Sequence, residues 1–428
     1  MKDKIVLIDG CRTPFLKSES DYLNTMTYEL AQLAIKGLLT KTGLDPNLVD
    51  SVVIGCVIST LKTSNLAREA ALGAGIPNST PCHTVSQACI SANRAIATAI
   101  AEIATGQSSI VIAGGADSAS ETPIGYKKHM RTKLMKGKKL RSTAEMIQFI
   151  LGFRPKDFLP EIPDISEFST KKTMGEDCDI MAAKHNIQRE EQDLFAIKSH
   201  DNAEKAWKEG HHQNEVIEVQ LDPKFKVLSK DNVIRSGSNL EKLAKLKPAF
   251  DKKHGTLTAA NSSFLTDGGA ACLLMKESMA KKLNLKPKAE IIDYCFTGQR
   301  LEDELLLGPA FAMSKVLDKT GITLNEIDVF EIHEAFAGQV LSNIKCLNDE
   351  KFCRERLNKD KSIGRIDMSK LNCWGGSLSL GHPFGATGAR LLTTSANRLI
   401  KEGGKYAMLS ACAAGAHGHA MIIKKYDA

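Results

Sequence analysis

The chain has 428 residues, 43% of them hydrophobic and 25% charged, which excludes a disordered or fibrous protein and is too long for one simple core. Its eleven cysteines are scattered without a C-x-x-C pair, so neither a zinc site nor a disulfide framework is supported, and free thiols in a reducing compartment are expected. The net charge of +7 comes without any nucleic-acid-binding motif and fits a small polyanionic ligand best.

Met1-Lys-Asp-Lys-Ile-Val-Leu-Ile runs straight into a strand pattern. That leaves no room for a signal or transit peptide and predicts a cytoplasmic, bacterial-type protein, or a mitochondrial matrix protein only if the chain is a processed form. No apolar run approaches the roughly 20 residues of a membrane span. A helical pattern from Tyr28 to Leu39 precedes a buried strand at Val52 to Ile54, and a second from Ser91 to Ala104 precedes the strand Ile110 to Ala113. Near the other end, the strand Val329 to Ile332, the helix Ala389 to Lys401 and the strand Ala407 to Ser410 repeat the order. Strand and helix in alternation predict an α/β protein with a largely parallel sheet. Leu44-Asp-Pro-Asn-Leu-Val-Asp-Ser-Val-Val also echoes Ile322-Thr-Leu-Asn-Glu-Ile-Asp-Val-Phe. The chain therefore reads as two similar halves, with the site where they meet. Residues from about 123 to 250 are richer in charge and poorer in strand pattern, like an insertion into the first half. Within them Lys127 to Arg141 is strongly basic, and Met146 to Phe153 is largely apolar. A solvated helix face explains this, and so does a docking surface for anionic lipid or a partner subunit.

Four residues carry candidate chemistry. Cys89, in Ser86-Gln-Ala-Cys-Ile-Ser-Ala-Asn, falls where a helix begins, so its thiol feels partial positive charge and ionises more easily. A buried core cysteine is the commoner fate of this residue type. His333, in His-Glu-Ala-Phe, lies at the carboxyl end of a predicted strand, where α/β proteins place their sites. Ala337, four residues on, rules out the two-histidine zinc pattern. His382 sits in the glycine-rich run Gly375 to Arg390, where backbone amides are free to face a ligand, although an ordinary turn has the same composition. Cys412 lies among small residues in Ser410-Ala-Cys-Ala-Ala-Gly, which allow a close backbone approach. The nearby His417 and His419 read as the start of the last strand.

Taken together, Ser-Gln-Ala-Cys89, His333-Glu-Ala-Phe, Gly381-His-Pro-Phe-Gly-Ala-Thr-Gly and Cys412-Ala-Ala-Gly resemble the thiolase family over essentially the whole chain. The resemblance is to the branch containing the β subunit of fatty-acid-oxidation trifunctional enzymes and their bacterial counterparts. That branch has His-Glu-Ala-Phe where most thiolases have Asn-Glu-Ala-Phe.

The resemblance implies a duplicated α-β-α-β-α five-layer fold, with an N-terminal half over residues 1–285 that carries the inserted loop domain and a C-terminal half over 286–428. It implies a 3-ketoacyl-CoA thiolase of β-oxidation with coenzyme A as substrate, no permanently bound cofactor and no metal. Cys89 would be the acylated nucleophile. His382 would activate it and donate to the enolate oxygen, and His333 would hold a water as the other donor. Cys412 would move the α-proton, and the amides of Cys89 and Ala414 would form a second oxyanion hole. Arg235 and Ser263 match positions near the nucleotide and pantetheine, and Met174 a position lining the acyl pocket. The implied partners are acyl-CoA, a second copy or higher homo-oligomer, a hydratase/dehydrogenase α subunit and a peripheral membrane contact, with no nucleic acid.

Two departures from the family pattern matter. Ala416 replaces a usual glycine, and Thr173 replaces a histidine common in short-chain biosynthetic thiolases. The second speaks against an acetoacetyl-CoA specialist. A non-catalytic lipid carrier on the same fold is the remaining rival, and the four intact reactive residues weigh against it.

Overall fold

The computed structural model describes residues 3–161, 163, 166–221 and 225–427. The first half contains β1 (Ile5–Arg12), α1 (Thr27–Thr42), β2 (Ser51–Gly55), α2 (Leu66–Gly73), β3 (Cys82–Val85), α3 (Ser91–Thr105) and β4 (Ile110–Asp117). A long excursion follows, with longer helices α4 (Lys128–Gly137), α5 (Thr143–Leu151), α6 (Met174–Lys184) and α7 (Arg189–Lys208), before β5 (Thr266–Lys276) rejoins the sheet. The second half contains β6 (Ala289–Gly298), α8 (Gly308–Thr320), β7 (Val329–Ile332), α9 (Ala337–Asn348), α10 (Thr387–Glu402), β8 (Tyr406–Ala413) and β9 (His417–Lys425).

The strands run in the order β7-β8-β9-β6-β1-β5-β4-β2-β3. Read outward from the middle, β1-β5-β4-β2 and β6-β9-β8-β7 are the same arrangement twice, and they meet where only Val6 and Leu7 pair with Glu290 and Ala289. The sheet is not largely parallel, as the alternation predicted. Among the described residues, β2–β3, β2–β4 and β7–β8 are the parallel strand pairs of this sheet; the others along this order, such as β8–β9 and β5–β4, are antiparallel. The reason is connectivity. Three residues join β8 to β9, which permits only a hairpin, and β5 enters after the insertion from the opposite end.

Alternation along the strands sorts side chains into separate cores. Val6, Ile8, Val52, Ile54, Ile110 and Ile112 pack with α1 and α2. Leu7, Val53, Val111 and Ala113 face the other way, into a core shared with α3, α10 and with Ala407, Leu409 and Ala411 of β8. Phe330, Ile332, Met408 and Cys412 face α8 and α9. The layers are therefore α1/α2, sheet, α3/α10, sheet, α8/α9.

The central layer is dry. In α10 every residue from Thr387 to Leu399 is buried, so its polar side chains need partners. Glu331 supplies one, accepting from Arg390 at 3.1 Å and Arg398 at 2.8 Å. The two central helices touch closely: a Cβ on Gly388 would lie 2.2 Å from Asn93 Oδ1. That contact sets the end of α10 carrying the histidine loop against the start of α3 carrying Cys89.

Candidate active site

His382 sits on the loop entering α10. Gly381 adopts φ 95°, a conformation side chains rarely take. The His382 amide donates to Thr266 Oγ1 at 2.7 Å. Two residues beyond Pro383, the Gly385 amide donates to Asp117 Oδ2 at 2.5 Å. Asp117 also accepts the amides of Val57 and Ile58, and burial, only partly offset by these amides, raises its carboxyl to about 6. The loop thus rests on the ends of β2 and β4.

The His382 ring has one defined partner. Its Nδ1 lies 2.6 Å from Thr387 Oγ1, and that hydroxyl donates to the Pro383 carbonyl at 3.0 Å. A carbonyl can only accept, so the threonine proton is already committed, and Nδ1–H must be the donor to Oγ1. This leaves a bare lone pair on Nε2, which has no partner among the described residues. Burial, with Arg390 nearby, lowers the imidazolium pKa to about 3. His382 is a neutral base at physiological pH.

His333 follows β7 and lies beside it, with ring centroids 4.0 Å apart. Its amide donates to the Ser410 carbonyl at 2.8 Å, continuing the β7–β8 ladder. Its Nδ1 is 2.8 Å from Ser377 Oγ, and its Nε2 has no partner among the described residues. Burial, then His382 and Arg390, push its pKa well down.

Cys89 occupies the turn before α3. Ala88 holds φ 45°, an uncommon conformation for a residue with a side chain. Ser91 stabilises it, accepting from the Gln87 amide at 2.8 Å and donating to the Ala88 carbonyl at 2.7 Å. One ligand atom each from Cys89, His333 and His382 lie within 4.8 Å of one another, so the three could together hold a soft cation. The expectation of an easily ionised thiol is reversed. Burial raises Cys89 to about 11, outweighing the amides of Ala414 and Cys89 that face the sulfur and pull the other way. The thiol is therefore protonated at neutral pH and needs the adjacent base.

Cys412 is buried on β8. Burial, and then the Cys89 sulfur, push its thiol well above the usual range. The turn after it presents the Ala414 amide, and the Gly415 amide donates to Glu167 Oε1 from the insertion. Gly415 and Ala416 both adopt positive φ, at 79° and 54°. The alanine that replaces the usual glycine thus sits in the left-handed region. Ala416→Gly is expected to stabilise the protein by about 1 kcal/mol, read as a rise in unfolding midpoint.

The remaining candidates lie outside this cluster. Ser263 is tied to the His-Glu-Ala-Phe loop through its amide to the Ala335 carbonyl at 2.9 Å. Arg235 is exposed, with its guanidinium 4.5 Å over the Phe264 ring. Met174 opens α6 and packs against the second-half core. Thr173 caps that helix, accepting from the Glu176 amide at 3.2 Å. His419 is buried between Asn93 and Phe296. Sequence reasoning missed Asp117, Thr266, Ser377, Thr387 and Arg390. Ser377, Thr387 and Arg390 lie in the same glycine-rich run as His382, but which nitrogen each serves depends on the fold.

This constellation has counterparts among known proteins. Residues 5–278 match the family described as "Thiolase, N-terminal domain", and residues 285–425 match "Thiolase, C-terminal domain". The mitochondrial trifunctional enzyme subunit β of Rattus norvegicus is 48% identical over 99% of this chain and 88% of its own. A 3-ketoacyl-CoA thiolase of Yersinia enterocolitica is 40% identical over 99% of this chain and 97% of its own. The crystal structure of human mitochondrial 3-ketoacyl-CoA thiolase in complex with CoA superposes with a TM-score of 0.84 at 29% identity, over 99% of this chain and 98% of that one. Two matching domain families spanning nearly every residue, and relatives this similar over most of their lengths, establish that the chain belongs to the thiolase family.

Proposed function

We propose that this protein is a 3-ketoacyl-CoA thiolase, an acetyl-CoA C-acyltransferase of fatty-acid β-oxidation. The observation that carries the reading is a protonated thiol facing two backbone amides, with a bare imidazole nitrogen beside it and a second buried thiol close by. The Cys89 proton passes to His382 Nε2 as the sulfur attacks the 3-keto carbon. The amides of Cys89 and Ala414 take the oxyanion, a contribution of roughly 3–4 kcal/mol per donor. Collapse breaks the C2–C3 bond and leaves its electron pair in the acetyl thioester enolate. The newly protonated His382 Nε2 faces that oxygen, and His333 Nε2 faces it in place of the water that the resemblance implies there, its ring lying against that of His382 and close to Cys89. Cys412 protonates C2 and acetyl-CoA leaves; the sulfur of free CoA then takes the acyl group, the His382 proton going back to the Cys89 sulfur and the CoA thiol proton to Cys412.

Coenzyme A is the substrate and no permanent cofactor is required. Arg235 and Ser263 would lie along it, and Met174 along the acyl chain. Thr173 is occupied as a helix cap, which supports a degradative enzyme over an acetoacetyl-CoA specialist. Assaying CoA-dependent cleavage across chain lengths tests this. Turnover of longer 3-ketoacyl-CoA substrates is expected, and activity confined to acetoacetyl-CoA would overturn it.

The division into halves at about residue 285, a homodimer or higher oligomer, and a cytoplasmic location belong to the same reading; a mitochondrial matrix location goes with a processed chain. So does an α-subunit partner. In the insertion, α5 exposes Met146, Ile147, Ile150 and Leu151 beside the basic α4, a surface suited to docking on the α subunit or an anionic membrane. Deleting Lys127 to Phe153 is expected to weaken α-subunit co-purification or vesicle co-sedimentation, and unchanged binding in both dismisses it.

A further inference from the structure

Given the thiolase reading above, on which this rests, His333 must offer a proton to the enolate oxygen. An asparagine amide always carries donors; a neutral imidazole offers Nε2–H in only one of its two tautomers. Something has to select that tautomer.

The surroundings of His333 Nδ1 supply the selection. Ser377 Oγ lies 2.8 Å from Nδ1, and Arg390 Nη2 donates to the same oxygen at 3.2 Å. The guanidinium has only protons to give, so the serine oxygen is an acceptor toward Arg390. Arg390 is anchored in turn by Glu331 at 3.1 Å, and all of these side chains are fully buried. Among the described residues the serine proton then has one acceptor within reach, Nδ1. That arrangement leaves the hydrogen of His333 on Nε2. The opposite tautomer would strand the serine proton among buried side chains. It would also set two bare Nε2 atoms, those of His333 and His382, into the same cavity.

We propose that Ser377, oriented by Arg390, is a positioning residue that fixes His333 as the Nε2–H tautomer and so makes it the enolate-oxygen donor. The neighbouring Thr387 does the reverse for His382, because its own proton is spent on Pro383. Two adjacent imidazoles are thereby held in opposite tautomers, one a donor and one a base, by two hydroxyls of the same sequence run.

The test combines a spectrum with a double-mutant cycle. ¹⁵N-histidine NMR of the full-length protein, with His333→Asn for assignment, is expected to show His333 protonated at Nε2; this result stands without turnover. In Ser377→Ala an Nδ1-protonated population should appear. Deuterium exchange into the methyl group of acetyl-CoA, which requires the enolate, should fall by about tenfold or more. Alkylation of Cys89 by iodoacetamide, which does not use His333, should stay within about twofold. In the His333→Asn background, Ser377→Ala should cause no further loss, because the serine acts through the imidazole. Ser377→Thr, which keeps the hydroxyl, should retain exchange and decides the matter if the alanine variant does not fold. Protonation of His333 at Nδ1 in the unaltered protein would overturn the proposal, as would an equal loss from Ser377→Ala with and without the imidazole. Failure of the thiolase reading would look different: the unaltered protein would exchange no acetyl-CoA protons.

Discussion

Cys89→Ala is expected to lower CoA-dependent cleavage of 3-ketoacyl-CoA by on the order of 10⁴-fold or more, while acyl-CoA binding stays within about threefold. The size follows from the loss of the covalent route: the amides of Cys89 and Ala414 face the Cys89 sulfur. Binding survives because the sulfur is a small part of the surface that a CoA ester would cover. The comparison separates an enzyme from a lipid carrier on the same fold. A carrier would keep its affinity and have no turnover to lose. Steady-state kinetics and equilibrium titration of the same preparation give both numbers, and retained turnover would mean that another thiol does the work.

Cys412→Ala is expected to divide the reaction. Cleavage of the C2–C3 bond should fall by about 10²–10⁴-fold, the usual contribution of a positioned acid or base. Deuterium exchange at the acetyl methyl should fall with it. Transfer of an acyl group between acyl-CoA and labelled CoA should continue, because that half uses Cys89 and His382 and moves no carbon-bound proton. The structural basis is that Cys412 is buried, protonated and near enough to Cys89 for its charge to be felt. Equal loss of both halves would show that the substitution disturbs the Ala414 turn instead.

Much of this site was legible before any coordinates. The helices and strands predicted near Tyr28, Ser91, Ile110 and Ala389 fall inside α1, α3, β4 and α10, because their apolar spacing is set by burial on one face. The Leu44 and Ile322 echoes end in equivalent strands, β2 and β7. Cys89, His333 and His382 do converge, and Cys412 lies near enough for the Cys89 sulfur to raise its pKa. The strand directions were not legible, since periodicity reports which face a residue takes and not which way the chain enters. Nor was the protonation of Cys89. A helix start suggests a lowered pKa, but desolvation of this half-buried thiol is the larger effect and decides the sign. Ser377, Thr387 and Asp117 were invisible for a third reason. Hydroxyls and carboxylates are common near glycine turns, and only the packed structure shows which nitrogen or amide each one meets.

Trapping the intermediate tests the central claim most directly. The protein is mixed with a 3-ketoacyl-CoA in the absence of free CoA, quenched, digested and examined by mass spectrometry. The added mass should equal the shortened acyl group, sit on the peptide containing Cys89 and disappear when CoA is supplied before quenching. Eleven cysteines are available, so its position is informative. No adduct, or one confined to any other cysteine, would contradict the account.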